Sequence, residues 1–327
     1  MKKLGIIFIF LIFQACSGSS EVATGSPPPG NPNPNTNGPQ SPDSDNLEPG
    51  NLPPPLFPEQ AAPALSESFL ATPSQWKANK LLSDESISFG LTESTAVDSK
   101  IARLTFPGHP EYGPPDKVGP GKAVSLESSE PFQFGTFRIR TRLSACAQNN
   151  EGGIYGLFTY WNNGTDLNKN GLIDNSEIDI EISCTEAAVL YLTIWTDYTN
   201  DNQFLKVTRK IDLQTGLFRE TKVGQENQWG LNQKGPMGFQ ISDFSSLNHW
   251  LDIGWTWSSS KIEFFLYRAG ERHTLWTYQN ADHIPTHEAP FLMNIWHSAE
   301  QWSNDEPADF PSQSISMDLD QFSYFTN

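Results

Sequence analysis

Residues 177 to 183, Glu-Ile-Asp-Ile-Glu-Ile-Ser, alternate acid and apolar side chains with a period of two. In a β-strand this pattern puts Glu177, Asp179 and Glu181 on one face and Ile178, Ile180 and Ile182 on the other. The isoleucines are then free to enter a core. The three carboxylates stand side by side, where mutual repulsion disfavours ionising all of them. Such a row adds no stability to a fold, so it points to chemistry. From about Ala64 onward, further short runs of β-branched and aromatic residues recur between Gly, Pro and Asn turns. They include Ser86–Phe89, Phe134–Leu143, Val189–Trp195, Trp250–Trp257, Lys261–Tyr267 and Ile315–Asp320. No long amphipathic helix and no internal repeat is evident. Many short strands at this spacing predict an all-β, two-sheet antiparallel sandwich. Between Asn200 and Asn248, Gln203–Thr208 reads as one more strand, and the polar, Gly-rich Gln225–Gly238 part as a loop or hairpin excursion.

The N-terminal pattern is different. Met1-Lys2-Lys3 precedes ten apolar residues, Leu4 to Phe13, too few to span a bilayer as a mature helix. Ala15 and then Cys16 follow, so residues 1–15 read as a signal peptide. The segment resembles a bacterial lipoprotein signal, which implies lipidation of Cys16; plain secretion is the alternative. Residues 16–60 are rich in Pro, Gly, Asn and Ser and lack apolar periodicity, the composition of a disordered tether. Residues 61–327 are left as the folded domain. The localisation implied is the bacterial cell envelope, lipid-anchored and surface-exposed.

All ten tryptophans fall between Trp76 and Trp302, which marks the folded part. The formal net charge of −17 argues against nucleic acid, which needs a basic footprint, and against docking on anionic lipid. A neutral polysaccharide partner fits, with membrane contact through the lipid anchor alone and a monomeric chain. Three cysteines make no disulfide framework. Cys184 continues the core parity of the isoleucines. A Cys146–Cys184 disulfide and two buried thiols both remain open.

Five ordered blocks carry a family resemblance. They are Phe134–Arg138; Gly156–Tyr160; Glu177–Glu181; His249-Trp250 with Trp255-Thr256 and Ile262–Phe265; and Ile284–Thr286 with Pro290–Trp296 and Trp302. Together they resemble glycoside hydrolase family 16, the clan of lichenases, laminarinases, agarases and xyloglucan endotransglycosylases. The resemblance implies a β-jelly-roll sandwich with a concave sugar-binding cleft. It also implies Glu177 as nucleophile, Asp179 as assisting carboxylate and Glu181 as general acid/base. No residue is inserted before Glu181, which is the lichenase and xyloglucan-enzyme spacing. His297 stands where the lichenase-like pattern has Asn or Pro, and His249 reads as a satisfied structural histidine.

Sugar rings stack apolar faces on aromatics and offer hydroxyls to planar polar groups. Trp161, Trp195, Trp296 and Trp302 are candidate platforms, and Tyr160, Asn162 and Asn294 candidate hydrogen-bonding groups. A retaining glycosidase needs no cofactor, only two carboxyl groups flanking the scissile bond. The expected reaction is endo-hydrolysis of β-1,3-1,4- or β-1,3-glucan by double displacement. Transglycosylation on the same site and a non-catalytic, lectin-like surface module are the alternatives. A calcium-dependent adhesin is a third. Its basis is Asp166-Leu167-Asn168-Lys169-Asn170-Gly171-Leu172-Ile173-Asp174, which matches a calcium loop at positions 1, 3, 5, 6 and 9, with Glu177 at position 12. Glu177 cannot serve both roles and is assigned to catalysis, leaving Asp166, Asn168, Asn170 and Asp174 as candidate ligands of a structural Ca²⁺. Family members also hold a calcium on the convex side through an Asp of the last strand; Asp320 is the matching candidate.

Overall fold

The computed structural model describes residues 62–80, 86–109, 123–198, 204–219, 235–236, 239–280, 283–303 and 306–326. The expectations for the signal peptide, Cys16 and the tether lie outside the described residues, as does most of Gln225–Gly238.

The described residues form seventeen strands and no α-helix. The first six are β1 (Leu65–Glu67), β2 (Trp76–Lys80), β3 (Ser86–Thr92), β4 (Lys100–Phe106), β5 (Ala123–Phe132) and β6 (Gly135–Leu143). Next come β7 (Gly153–Trp161), β8 (Ile173–Ser183), β9 (Val189–Tyr198), β10 (Phe204–Asp212), β11 (Leu217–Arg219) and β12 (Gly235–Pro236). The last are β13 (Trp250–Trp257), β14 (Ile262–Arg268), β15 (Glu271–Tyr278), β16 (Ala289–His297) and β17 (Ile315–Phe325). One sheet runs β15-β14-β13-β6-β17-β4-β3, with β1 added beside β17; the other runs β12-β11-β10-β9-β8-β7-β16-β5-β2. The ladders are antiparallel, as the turn-rich sequence predicted, and the strand expected over Gln203–Thr208 is the first part of β10.

Strand alternation builds the core between the sheets. Ile178, Ile180 and Ile182 of β8 are at most 1% exposed and pack with Leu157, Leu192, Ile194, Met293 and Ile295 of the same sheet. Opposite them stand Phe137 and Ile139 of β6 and Ile253, Trp255 and Trp257 of β13. Phe291 of β16 locks the layers together, its ring 5.8 Å from Phe137 and 5.5 Å from Trp255. Cys184 continues the isoleucine parity into this core, and it is bonded to Cys146 across a sequence separation of 38. Of the two readings left open by the sequence, the disulfide is the one found.

The two outer faces treat charge differently. On the eight-stranded sheet, Arg138, Arg140 and Arg142 of β6 each meet an aspartate of a neighbouring strand, Asp252, Asp320 and Asp318. On the nine-stranded sheet the outer face carries the acidic row of β8, described next.

Candidate active site

β8 lies between β7 and β9, so each carboxylate has a neighbour on both sides. Glu177 is opposite Tyr160 and Trp195, Asp179 opposite Phe158 and Thr193, and Glu181 opposite Gly156 and Tyr191. The ladder to β9 shifts between Asp174 and Glu177, so a bulge at the entrance of β8 sets the parity of the row. The predicted separation of faces holds: acids outward, isoleucines inward.

The three acids do not share one environment. Asp179, in the middle, is 4% exposed, while Glu177 and Glu181 are half-buried with an edge to solvent. Burial raises the pKa of Asp179 well above the carboxylate range, and the charges of Glu177 and Glu181 push it further. Its Oδ2 accepts the indole N–H of Trp195 at 2.9 Å. Burial lifts Glu177 to about 7, against hydrogen bonds from Asn175 and Asp179 and the charge of Lys206. The Asn175 amide donates to Glu177 Oε2 at 2.8 Å. Burial lifts Glu181 to about 8, helped by the charge of Glu177 and opposed by Lys206 and a Trp296 hydrogen bond. Burial and the flanking charges therefore favour the protonated form of Asp179, which hydrogen-bonds Glu177. At neutral pH Glu181 is mostly protonated, and Glu177 is the group poised to ionise.

The remaining candidates divide by position. Trp296 and Trp302 meet edge-on with centroids 5.9 Å apart, and Trp302 lies 4.7 Å from the ring of Tyr191, at the Glu181 end. Tyr160, 38% exposed, stands at the Glu177 end. Asn294 of β16 is opposite Gly156, which is itself opposite Glu181. A Cβ on Gly156 would sit 2.5 Å from Asn294 Oδ1, so the glycine makes room for the Asn294 amide over β7. That oxygen is buried and has no hydrogen-bond partner.

Other expectations need correcting. Trp195 is 6% exposed and has Lys206 Nζ 4.4 Å above its ring, so it holds Asp179 rather than offering an open platform. Trp161 stacks on His287 at 4.1 Å, beside a separate hollow of ≈ 600 Å³ lined also by Gln133 and Pro131; the carboxylates lie outside it, on the open sheet face. Asn162 turns its side-chain oxygen to the N–H of Gly164, 2.9 Å away, and serves its own turn. His249, read as a satisfied structural histidine, is exposed. His297 is the buried one, with Nε2 3.2 Å from the carbonyl of Asp309, and burial pushes its pKa down. Asp320 fits a calcium poorly, because Arg140 Nε, 2.7 Å away, and the Val97 N–H already take its oxygens. Asn175, Lys206 and Tyr191 are site residues that sequence reasoning did not single out.

The Trp195 contact is testable without a substrate. Trp195→Phe keeps an aromatic but removes the donor to Asp179. Losing a partner of a buried polar group costs about 1–3 kcal/mol. Urea unfolding should show that loss with an unchanged m-value.

No family model matches the sequence, and no curated protein matches it. Solved structures do match the fold. The laminarinase catalytic domain of Thermotoga maritima aligns with a TM-score of 0.51 at 12% identity, covering 82% of this chain and 99% of that one. A family 16 endo-glucanase of Bacteroides ovatus aligns at 0.49 and 10% identity, over 80% and 99% of the two chains. The β-glucanase of Bacillus licheniformis aligns at 0.47 and 13%, over 82% and 100%. The likeness is one of fold: two antiparallel sheets in a jelly-roll sandwich.

Proposed function

We propose that this chain is a retaining glycoside hydrolase acting on a β-linked glucan. The observation that carries the reading is the row Glu177, Asp179, Glu181, placed on one outward face with the pKa of each pushed up by burial. Two carboxyls with separated proton affinities are what a double displacement requires. Ionised Glu177 attacks the anomeric carbon, and the glycosidic C–O bond breaks as Glu181 gives its proton to the departing oxygen. A glycosyl ester on Glu177 results. Glu181, now a carboxylate, takes a proton from water, whose oxygen attacks the same carbon and frees Glu177. Asp179 keeps its proton throughout and orients Glu177, with Trp195 fixing Asp179 in turn.

Aromatic rings at both ends of the row, Tyr160 on one side and Trp296 with Trp302 on the other, support a chain-like substrate crossing β8. The uninterrupted spacing of the acidic signature favours β-1,3-1,4-glucan, with β-1,3-glucan next. A lipid on Cys16 would hold the enzyme at the cell envelope, where such polymers are met. The test is a panel of soluble β-glucans and xyloglucan incubated with the full chain, following reducing ends and the anomer first released. Cleavage with retained configuration is expected. Binding of a polymer with no new reducing end would sink the enzyme reading and favour a glycan-binding module.

A further inference from the structure

The Asp166–Asp174 run is the acidic pattern that sugar chemistry leaves unused. In the structure it curls over the start of β8. Asp166 Oδ1 accepts the N–H of Asn170 at 3.1 Å and its Oδ2 that of Gly171 at 2.8 Å. Asn168 Oδ1 accepts the N–H of Asn170, and Asn170 Oδ1 that of Leu172, each at 2.9 Å. The curl needs left-handed backbone at Lys169, φ 61°, and Gly171, φ 89°. Each of these oxygens retains a second lone pair.

An independent observation comes from the strand. Asp174 is 2% exposed. Its Oδ2 accepts the N–H of Leu167 at 2.7 Å, so the carboxylate points into the loop, yet Oδ1 has no hydrogen-bond partner. The basic group beside it is His287 Nε2 at 3.6 Å, a cation only when protonated. A buried carboxylate oxygen without donor or cation is costly. On the other side the Asn170 amide donates to Asp197 Oδ1 at 2.8 Å, which fixes the loop against β9.

We propose that this loop binds one calcium ion through Asp166, Asn168, Asn170 and Asp174, at the end of β8 beyond Glu177. The donors are all oxygen, which selects a hard cation, and two carboxylates balance its charge. Calcium accepts the irregular, water-completed shell such a loop supplies, whereas magnesium demands a near-ideal octahedron. Among the described residues no three His, Cys, Asp or Glu side chains group as a metal site by themselves; here half the donor set is amide. The glutamate at position 12 of the pattern, Glu177, is held by Asn175 instead. Without that bidentate ligand, affinity belongs in the weak range, roughly 10⁻⁴–10⁻³ M. The inference stands apart from the proposed sugar chemistry.

The test is calorimetric titration of the chelator-treated full chain with CaCl₂, beside thermal melts with and without the ion. Saturable binding of a single ion and a raised Tm are expected, with a smaller shift from MgCl₂. Asp166→Asn and Asp174→Asn should each weaken binding at least about tenfold, while Asp320→Asn and Glu177→Gln leave the isotherm unchanged. If Asp174→Asn does not fold, Asp166→Asn, on the loop surface, decides alone. No saturable heat up to about 10 mM CaCl₂, or an unchanged isotherm in Asp166→Asn, overturns the proposal. So does loss of binding in Asp320→Asn alone, which would place the ion on the other sheet. Because Glu177→Gln abolishes hydrolysis but not this binding, either idea can fail without the other.

Discussion

Glu177→Gln and Glu181→Gln should each remove glucan cleavage, and they should do so differently. Glutamine at 181 cannot protonate the leaving oxygen, a loss of roughly 10²–10⁴ in kcat/KM. An activated aryl glycoside, whose leaving group needs no proton, should recover much of that rate. Glutamine at 177 cannot form the glycosyl ester, so no leaving group rescues it. The pH profile separates them further. Wild-type kcat/KM should be bell-shaped: rising as Glu177 ionises near 7 and falling as Glu181 loses its proton near 8. The two limbs belong to the coupled set rather than to single residues. Glu181→Gln should erase the basic limb. A wild-type profile flat from pH 5 to 9 (about the range where these groups titrate) would contradict the assignment.

The same protons act on stability with a definite sign. Folded-state values above the ordinary carboxylate range mean that the native protein binds more protons than the unfolded chain from about pH 4.5 upward. The contribution of these groups is therefore most favourable at low pH and is lost as pH rises through 7 and 8. The acidic row is tolerated by the fold, not required by it.

The second large effect is on the opposite sheet. Arg138 Nε donates to Asp252 Oδ1 at 2.6 Å, and Nη2 bonds Oδ2, with both residues under a tenth exposed. The guanidinium also lies 4.8 Å from the centroid of Tyr267. Asp252→Asn leaves a buried cation without its counter-charge, and breaking such a pair costs about 3–5 kcal/mol. Replacing both partners by apolar groups of similar size, as in Arg138→Met with Asp252→Leu, removes the stranded charge as well. The double variant should then be more stable than Asp252→Asn in chemical denaturation. Additive losses would mean that the pair is not coupled.

What the sequence disclosed follows from the kind of information it holds. Period-two alternation is local, so β8 and its two faces could be read directly from Glu177 to Ser183, and the sandwich class from the recurrence of such short runs between turns. Roles that depend on which strands are neighbours could not. Trp195 became a support for Asp179 because β9 pairs with β8 in a register that puts it opposite Glu177. Lys206 lies in a strand that was anticipated, but only the β9–β10 register carries it over Trp195. Asn175 was hidden by the bulge, which breaks the parity the eye follows. The placing of the histidines likewise depends on the strands around them: His297 continues the inward parity of β16, and His249 precedes β13 on an exposed bend. Asp320 shows the limit of carrying a role across by position, since Arg140 of the neighbouring strand β6, paired with Gln321, supplies the positive charge an ion would.

The Cys146–Cys184 bond encloses β7 and the whole of β8 from Ile173 to Ser183. Closing a loop of that length restricts the unfolded chain by about 4 kcal/mol in the chain-entropy account. Its kinetic meaning is separate. Once oxidised, the two central strands search for their register inside a tethered hairpin-sized segment rather than along an open chain, which shortens the route to their pairing. A chain kept reduced must find the same register unaided, with the acidic row resisting its burial. The assembly of β8 is thus sensitive to the redox state of the place where the chain folds.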